Sequence, residues 1–131
     1  MSSPNAETVR RLYDGWARGD FAVDMDAFDP AVEFEMTWGP DRIASRGLDG
    51  MAAAWRGYLR VWQDFTTGSI EELVEEGDTI AVLNRIRGRG KHSNVPVEHL
   101  NAAVFTFRDG RIVRLVLTTP EEAMAAVGRG L

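Results

Sequence analysis

Apolar residues recur at helical spacing in two stretches of the N-terminal half of the chain. The first stretch, residues 4–18, carries such a stripe at Val9, Leu12, Tyr13 and Trp16. Ser3 is placed to cap this helix, with Pro4 in its first turn and Gly19 at its end. The second stretch, residues 49–64, has a wider and more aromatic stripe, formed by Met51, Trp55, Tyr58, Leu59 and Trp62. This spacing predicts an amphipathic α-helix in each stretch.

Alternating apolar and polar residues dominate the rest of the chain and predict β-strands. The predicted strands span residues 31–38, 66–75 and 79–87, followed by a long hairpin over 95–119. An Asp-Gly pair between two apolar runs marks the hairpin turn, and this is the strongest short-range hairpin signal. Thr119 with Glu122 three residues later has capping-box spacing, which predicts a last short helix over about 120–127.

The order of these elements predicts an α+β fold. Helix, strand and helix are followed by four strands and a terminal helix, and mainly antiparallel strands with helices on one face are typical of this class. We expect a single domain over residues 1–131, with a loop at 39–48. A strongly curved sheet wrapped on two long helices would form a cone, and a cone of this size would leave a cavity at its wide end.

The composition narrows the classes of partner. A net charge of −5 disfavours nucleic acid and anionic membranes, which bind clustered basic faces. The absence of cysteine excludes disulfides and thiolate metal sites, and His92 and His99 have no carboxylate at a recognisable ligand spacing. We therefore expect no metal and no nucleotide cofactor. No apolar run approaches the roughly 18 residues of a membrane span, and the N-terminus lacks a signal-peptide core, so we expect a cytoplasmic protein.

Several short motifs occur together in a specific order along nearly the whole chain. They are Ala17-Arg18-Gly19-Asp20, Phe28-Asp29-Pro30-Ala31-Val32-Glu33-Phe34, Gly47, Glu76-Gly77-Asp78 and Phe107-Arg108-Asp109-Gly110-Arg111-Ile112-Val113. Together they resemble the NTF2-like superfamily and, within it, the SnoaL-like branch that includes polyketide cyclases and ketosteroid isomerases. The resemblance implies an NTF2-like cone, a cystatin-like α+β roll. It does not imply one reaction, because this fold hosts isomerases, cyclases, dehydratases, hydrolases and binding proteins.

The catalytic groups of the ketosteroid isomerases can be compared with this chain position by position. That family uses a carboxylate base and an oxyanion hole made of a tyrosine and a protonated aspartic acid. The resemblance places Met36 at the base, Leu12 at the tyrosine and Ala103 at the aspartic acid. All three groups are missing, which argues against that mechanism here.

Polar residues on the inner face of the sheet are the catalytic candidates, since a buried polar group requires a partner. His99 leads, because an imidazole in an apolar cavity can act as general acid or base. Asn84 and Asn101 would orient a ligand carbonyl or a water, and Tyr58 would donate a phenolic hydrogen bond. Alternatively, His99 is hydrogen-bonded or partly exposed at a strand edge, and the asparagines satisfy the backbone or each other.

The pocket wall is expected to be apolar and aromatic, which suits a flat ligand such as an aromatic or polycyclic molecule. Its predicted lining is Leu12, Trp16, Met36, Trp38, Trp55, Leu59, Trp62, Val82, Ala103, Phe105, Leu115 and Leu117. The alternative is that the tryptophans belong to the core and fill the cone.

The opposite face of the sheet carries charge. Glu33 and Glu35 alternate with apolar neighbours and are predicted to lie on this outer face, although a register shift of one residue would turn Glu35 to the pocket. Arg85, Arg87 and Arg114 join them there. A mixed face of this kind suits a two-fold homodimer, and the alternative is a solvated sheet surface.

Two functions follow as hypotheses. The first is a cofactor-independent cyclase, isomerase or (de)hydratase that acts on an apolar cyclic or polyketide-like molecule, with His99 transferring the proton. The second is a non-catalytic ligand-binding or dimeric assembly module, and the missing isomerase groups favour it.

Overall fold

The computed structural model describes residues 3–20, 25–37, 42–60 and 62–128 of the 131-residue chain. The helices are α1 (Pro4–Ala17), a 3₁₀ turn (Met25–Ala27), α2 (Gly47–Leu59) and α3 (Pro120–Ala126). The strands are β1 (Phe28–Met36), β2 (Ile43–Arg46), β3 (Trp62–Glu76), β4 (Thr79–Gly90), β5 (Pro96–Arg108) and β6 (Arg111–Thr118). Trp38 was predicted at the end of the first strand and lies outside the described residues.

The strands form one six-stranded sheet in the order β2-β1-β6-β5-β4-β3. The β1–β6 pair is parallel, and all other pairs are antiparallel. Register shifts interrupt the pairing of β3 with β4, and such bulges bend a strand and increase its twist. The predicted α+β class, with a mainly antiparallel sheet, is confirmed. In the described parts of the chain, no helix is both long and apolar enough to cross a membrane.

Helices cover both faces of this sheet. The stripe of α1 and part of α2 pack on the inner face, where Leu12, Phe34 and Phe105 are almost fully buried. On the outer face, Ala123 and Met124 of α3 form a smaller core with residues of β4 and β5. The chain itself therefore covers part of the face that the sequence suggests for a dimer.

The largest differences from the sequence-based boundaries lie on either side of α2. The predicted loop at 39–48 contains β2, a short edge strand in which Ile43 pairs with Met36. The predicted helix over 49–64 ends at Leu59, so Trp62 belongs to β3 and pairs with Gly90. Because aromatic residues four positions apart, such as Tyr58 and Trp62, occur in both helices and strands, only the pairing with β4 decides which structure Trp62 adopts.

Both predicted helix caps are present. The Ser3 hydroxyl oxygen accepts a hydrogen bond from the Ala6 N–H at 3.0 Å and donates to the Glu75 carboxylate at 2.7 Å, which ties α1 to β3. The Thr119 hydroxyl oxygen accepts from the Glu122 N–H at 3.3 Å. The Glu122 carboxylate accepts from the Thr118 hydroxyl and does not complete the box at Thr119.

The predicted hairpin turn is confirmed at Asp109-Gly110. Arg108 pairs with Arg111, and both loop residues have positive φ, 53° at Asp109 and 79° at Gly110. This is the pattern of a type I′ turn, which joins two strands whose twist it matches.

We expect Gly110→Ala to lower the free energy of unfolding by about 1–2 kcal/mol, because a Cβ is disfavoured in the left-handed region. Gly57→Ala is the matched control. Gly57 lies in the interior of α2, and an added Cβ would meet no other described atom within 4 Å. It should stabilise the fold by about 0.5–1 kcal/mol. Chemical denaturation of both variants measures the two effects, and equal shifts would contradict the turn assignment.

The outer-face prediction for Glu33 and Glu35 is confirmed. Glu33 pairs with Arg46 at 2.8 Å, and Glu35 pairs with Arg114 at 3.0 Å and with Arg42. Partial burial raises the pKa of Glu35, but hydrogen bonds and charge from Arg114 and Arg42 outweigh it and hold the pKa below its ordinary value. Arg85 and Arg87 also form ion pairs across strands, at 3.0 and 3.1 Å.

Glu35→Gln should lower the free energy of unfolding at neutral pH by up to about 1 kcal/mol. Because the folded-state pKa is depressed, this stabilisation is complete above the ordinary value of 4.5 and is lost as the pH falls through the folded value. The two unfolding curves should therefore converge in acid. Glu33→Gln is the control, and its loss should be smaller because its side chain is 51% exposed, against 13% for Glu35. A difference that persists in acid would contradict the role of this charge.

Candidate functional site

An apolar cavity of about 410 Å³ lies between the C-terminal end of α1, the 3₁₀ turn and α2. Its lining consists of Trp16, Gly19, Asp20, Met25, Phe28, Met51, Ala52, Trp55, Arg56 and Leu59. Asp20 and Arg56 are the charged members of this set. The cavity is thus a mainly hydrophobic space with two charged side chains among its lining residues.

The local sequence explains how the two helices form this space. The Gly19 N–H donates to the Trp16 carbonyl at 2.9 Å, and Gly19 has φ +83°, so α1 ends at Ala17, one residue after Trp16. On α2, lining residues recur four residues apart at Met51, Trp55 and Leu59, which places them on one helix face. Ala52 lies on the same side, and its small side chain leaves room between the two helices.

Aromatic rings form a continuous wall behind the cavity. The Trp16 and Trp55 rings lie 6.0 Å apart, centre to centre. Trp16 stacks on Phe105 of the sheet at 6.5 Å, and Trp55 contacts Phe34 at 6.0 Å. Because these contacts restrain the rings from behind, the wall can present a preformed apolar surface to a ligand.

The structure divides the predicted lining residues into two groups. Trp16, Trp55 and Leu59 line the cavity. The inner-face set instead fills the core and is at most 2% exposed: Leu12, Met36, Val82, Ala103, Phe105, Leu115 and Leu117. Helix α1 and the sheet pack directly against each other there. This cavity therefore lies between the helices and not over the sheet.

The predicted position of His99 in an apolar cavity is wrong. His99 lies opposite Ile86 in the β4–β5 pair, but it is exposed. Partial desolvation lowers the pKa of its imidazole, and the side chain takes part in a further interaction. Strand alternation predicts which face of the sheet a side chain lies on, but it does not predict how far along the strand that face is covered by other residues. The burial ends between Asn101 and His99.

The two asparagines bond to each other, as in the alternative considered for them. The Asn101 amide donates to the Asn84 carbonyl oxygen at 3.2 Å, and the Asn84 amide donates to the Gly68 carbonyl at 3.3 Å. Both side chains are buried, and neither lines the cavity. The Asn101 side-chain oxygen has no hydrogen-bond partner within the described part of the chain.

A second aromatic group lies beyond the cavity at the end of α2. The Tyr58 ring is 6.1 Å from Trp62 and 5.7 Å from Phe65. Burial raises the pKa of Tyr58 to about 12, so the phenol is protonated at neutral pH. A Cβ at Gly88 would lie 2.8 Å from the Trp62 ring, so this glycine leaves the space that the indole occupies. Tyr58 and Trp62 do not line the α1–α2 cavity.

Tyr13 is a buried polar residue on the apolar stripe of α1. Its ring lies 4.9 Å from Trp16, and its hydroxyl has no hydrogen-bond partner among the residues described. Desolvation raises its pKa. Its place on the apolar stripe of α1 predicts burial but not an unsatisfied hydroxyl. Over the same described ranges, no cluster of three or more metal-ligating side chains occurs.

The fold of this chain is similar to those of several solved structures. The chain resembles an NTF2-like protein of unknown function from Burkholderia pseudomallei K96243, with a TM-score of 0.79, 22% identity, and coverage of 96% of this chain and 98% of that one. It also resembles TerC, which was crystallised with polyporic acid, with a TM-score of 0.76, 19% identity, and coverage of 95% and 98%.

A third similar structure comes from Jannaschia sp. CCS1 and is described as a SnoaL-like polyketide cyclase. Its TM-score is 0.76 at 22% identity, with coverage of 95% of this chain and 90% of that one. Identities this low show the fold alone, and they confirm the predicted NTF2-like architecture. No curated protein matches the chain by sequence. Residues 9–115 match the model of the SnoaL-like domain, and the chain belongs to that family.

Proposed function

We propose that this SnoaL-like protein binds a flat, apolar small molecule in the cavity between α1 and α2. The tryptophan wall carries this proposal. Trp16 and Trp55 line a cavity of about 410 Å³, and Met25, Phe28 and Met51 also line it. Ligand pockets in proteins span about 300–1,000 Å³ and are mostly lined by hydrophobic and aromatic side chains.

The related structures support a cyclic ligand. TerC was crystallised with polyporic acid, and the Jannaschia protein is described as a polyketide cyclase. A polyketide-like or aromatic ring system would place its flat faces against the indoles of Trp16 and Trp55. Stacked or edge-on arrangements with these rings would add to the hydrophobic stabilisation.

Filling the cavity tests the proposal. We expect Ala52→Leu to weaken the binding of 2-naphthamide at least about 10-fold, because the larger side chain occupies the space between Met51 and Trp55. Quenching of tryptophan fluorescence measures the affinity of this neutral, flat probe.

Ala53→Leu is the matched control. Ala53 follows Ala52 by one position on the same helix, is exposed, and does not line the cavity. The affinity of the Ala53→Leu variant for 2-naphthamide should stay within about 2-fold of the wild-type value. Thermal melts should show that both variants fold. Binding that survives Ala52→Leu, or that the wild-type protein lacks, would contradict the proposed site.

A catalytic function is the second candidate, of the cyclase, isomerase or (de)hydratase kind and without a metal or nucleotide cofactor. The family and the cyclase description of one similar structure favour it. Of the lining residues, Asp20 is the one that carries a carboxylate, the kind of group that could serve as a general base. Because His99, Asn84 and Asn101 lie away from the cavity, ligand binding is the function that the geometry supports better.

We also propose that two copies associate through the outer face of the sheet. Val104 of β5 pairs with Val116 of β6, and both are half-buried in the single chain. Cross-strand ion pairs, including Glu35–Arg114, lie near them, so the face is mixed rather than uniformly charged. Self-complementary surfaces of this kind suit a two-fold dimer.

Light scattering after size-exclusion chromatography tests this association. The wild-type protein should elute at twice the chain mass, and Val116→Glu should shift it to the monomer, because a carboxylate would be buried against the same group of the partner. Val95→Glu is the control, since Val95 is 54% exposed in the β4–β5 turn. A wild-type monomer, or a dimer that Val116→Glu leaves intact, would contradict this interface.

A further inference from the structure

We propose that the ligand of the α1–α2 cavity carries a carboxylate, which arginines at the cavity mouth recognise. This inference rests on the proposed function, because it assigns the chemistry of the molecule that would occupy the same cavity. The assignment comes from the position of three arginines in the cavity lining or next in sequence to it.

Arg56 lies at the edge of the cavity-lining face of α2. It follows Ala52 by four residues and precedes Leu59 by three, so helical spacing sets it beside both of these lining residues. It is exposed, and within the described part of the chain no side-chain hydrogen bond or ion pair engages its guanidinium. A charged group in this position contacts the cavity and is still available to a ligand.

Two more arginines are adjacent in sequence to lining residues at the ends of the two helices. Arg18 is the C-cap of α1 and precedes the lining residue Gly19, while Arg60 is the C-cap of α2 and follows the lining residue Leu59. Both are exposed, and neither side chain has an ion pair among the described residues. Positive charge therefore comes from the ends of both helices that form the cavity.

Elsewhere on this surface, arginines are commonly paired. Ion pairs of 4 Å or less engage Arg42, Arg46, Arg85, Arg87, Arg89 and Arg114. Paired arginines are expected in a chain of net charge −5, where carboxylates are abundant. Asp20 is the one acidic lining residue, and it already takes part in another interaction. Arg10, Arg108 and Arg111 are also exposed and unpaired among the described residues, so the arginines at the mouth are distinguished by their position beside an apolar cavity.

The spacing of Arg56 and Arg60 would allow one carboxylate to interact with both side chains. Residues four apart on a helix are neighbours, and like charges at this spacing destabilise a helix by about 0.2–0.5 kcal/mol. Both also lie where the negative end of the helix dipole favours cations, which offsets that repulsion without a ligand. A carboxylate between them would accept charge-assisted hydrogen bonds from the guanidinium groups, and arginine can bind it through two parallel bonds.

A pair of matched probes tests the inference. 2-Naphthoic acid and 2-naphthamide share the same flat ring system, but only the acid is charged at neutral pH. We expect the wild-type protein to bind the acid about 3- to 5-fold more tightly at low salt, the upper range for an exposed ion pair. Arg56→Gln should reduce this preference to less than about 2-fold, and added salt should reduce it in the wild type.

Arg111→Gln is the matched control, because Arg111 is also exposed and unpaired among the described residues but lies at the β5–β6 hairpin. It removes the same charge and should leave the preference unchanged. Equal binding of the two probes by the wild type overturns the inference while apolar binding stands. A melting-temperature loss in Arg56→Gln with an unchanged preference also overturns it, because the arginine then only complements the helix end. If 2-naphthamide does not bind either, the proposed function fails as well.

Discussion

The contact of Trp16 with its neighbours connects the three layers on which the candidate site depends. Its indole stacks on Phe105 in the middle of the sheet and faces Trp55 on α2. One side chain therefore fixes the position of α1 over the sheet and its distance from α2. Because interiors are packed as densely as organic crystals, such a contact leaves little freedom to the helices. The cavity is the space that remains on the side of the two indoles away from the sheet.

The solid packing under α1 explains why the site is displaced from the sheet. Leu12 and Phe105 are fully buried and fill the place where an inner-face cavity was expected. Polar residues farther along the same face, Asn84 and Asn101, bond mainly to each other and so contribute to the fold. A ligand in the α1–α2 cavity would therefore contact a mainly apolar and aromatic wall and two charged side chains, Asp20 and Arg56. This limit favours recognition of a molecule over proton transfer to it.

The charged residues on the outer face of the sheet are paired, whereas Arg56 at the cavity mouth is not paired with a described residue. On the outer face, Glu35 and Arg114 form an ion pair across neighbouring strands, so each charge has a partner of opposite sign. At the cavity mouth, Arg56 has no such partner among the described residues. Exposed ion pairs add little stability individually. The arginines at the helix ends differ from these paired ones in lying beside an apolar cavity.

The sequence by itself determined the secondary structure, the faces and the family resemblance. Alternation placed Glu35 outside and Phe105 inside, and the Asp-Gly pair located the hairpin, because these signals depend on neighbours within a few residues. The tertiary structure decided the rest. It placed His99 in solvent, put Trp62 on a strand and opened the cavity between the helices. These outcomes depend on how much of one helix or strand is covered by another. Packing between residues that are distant in sequence sets this coverage, so no local sequence pattern predicts it.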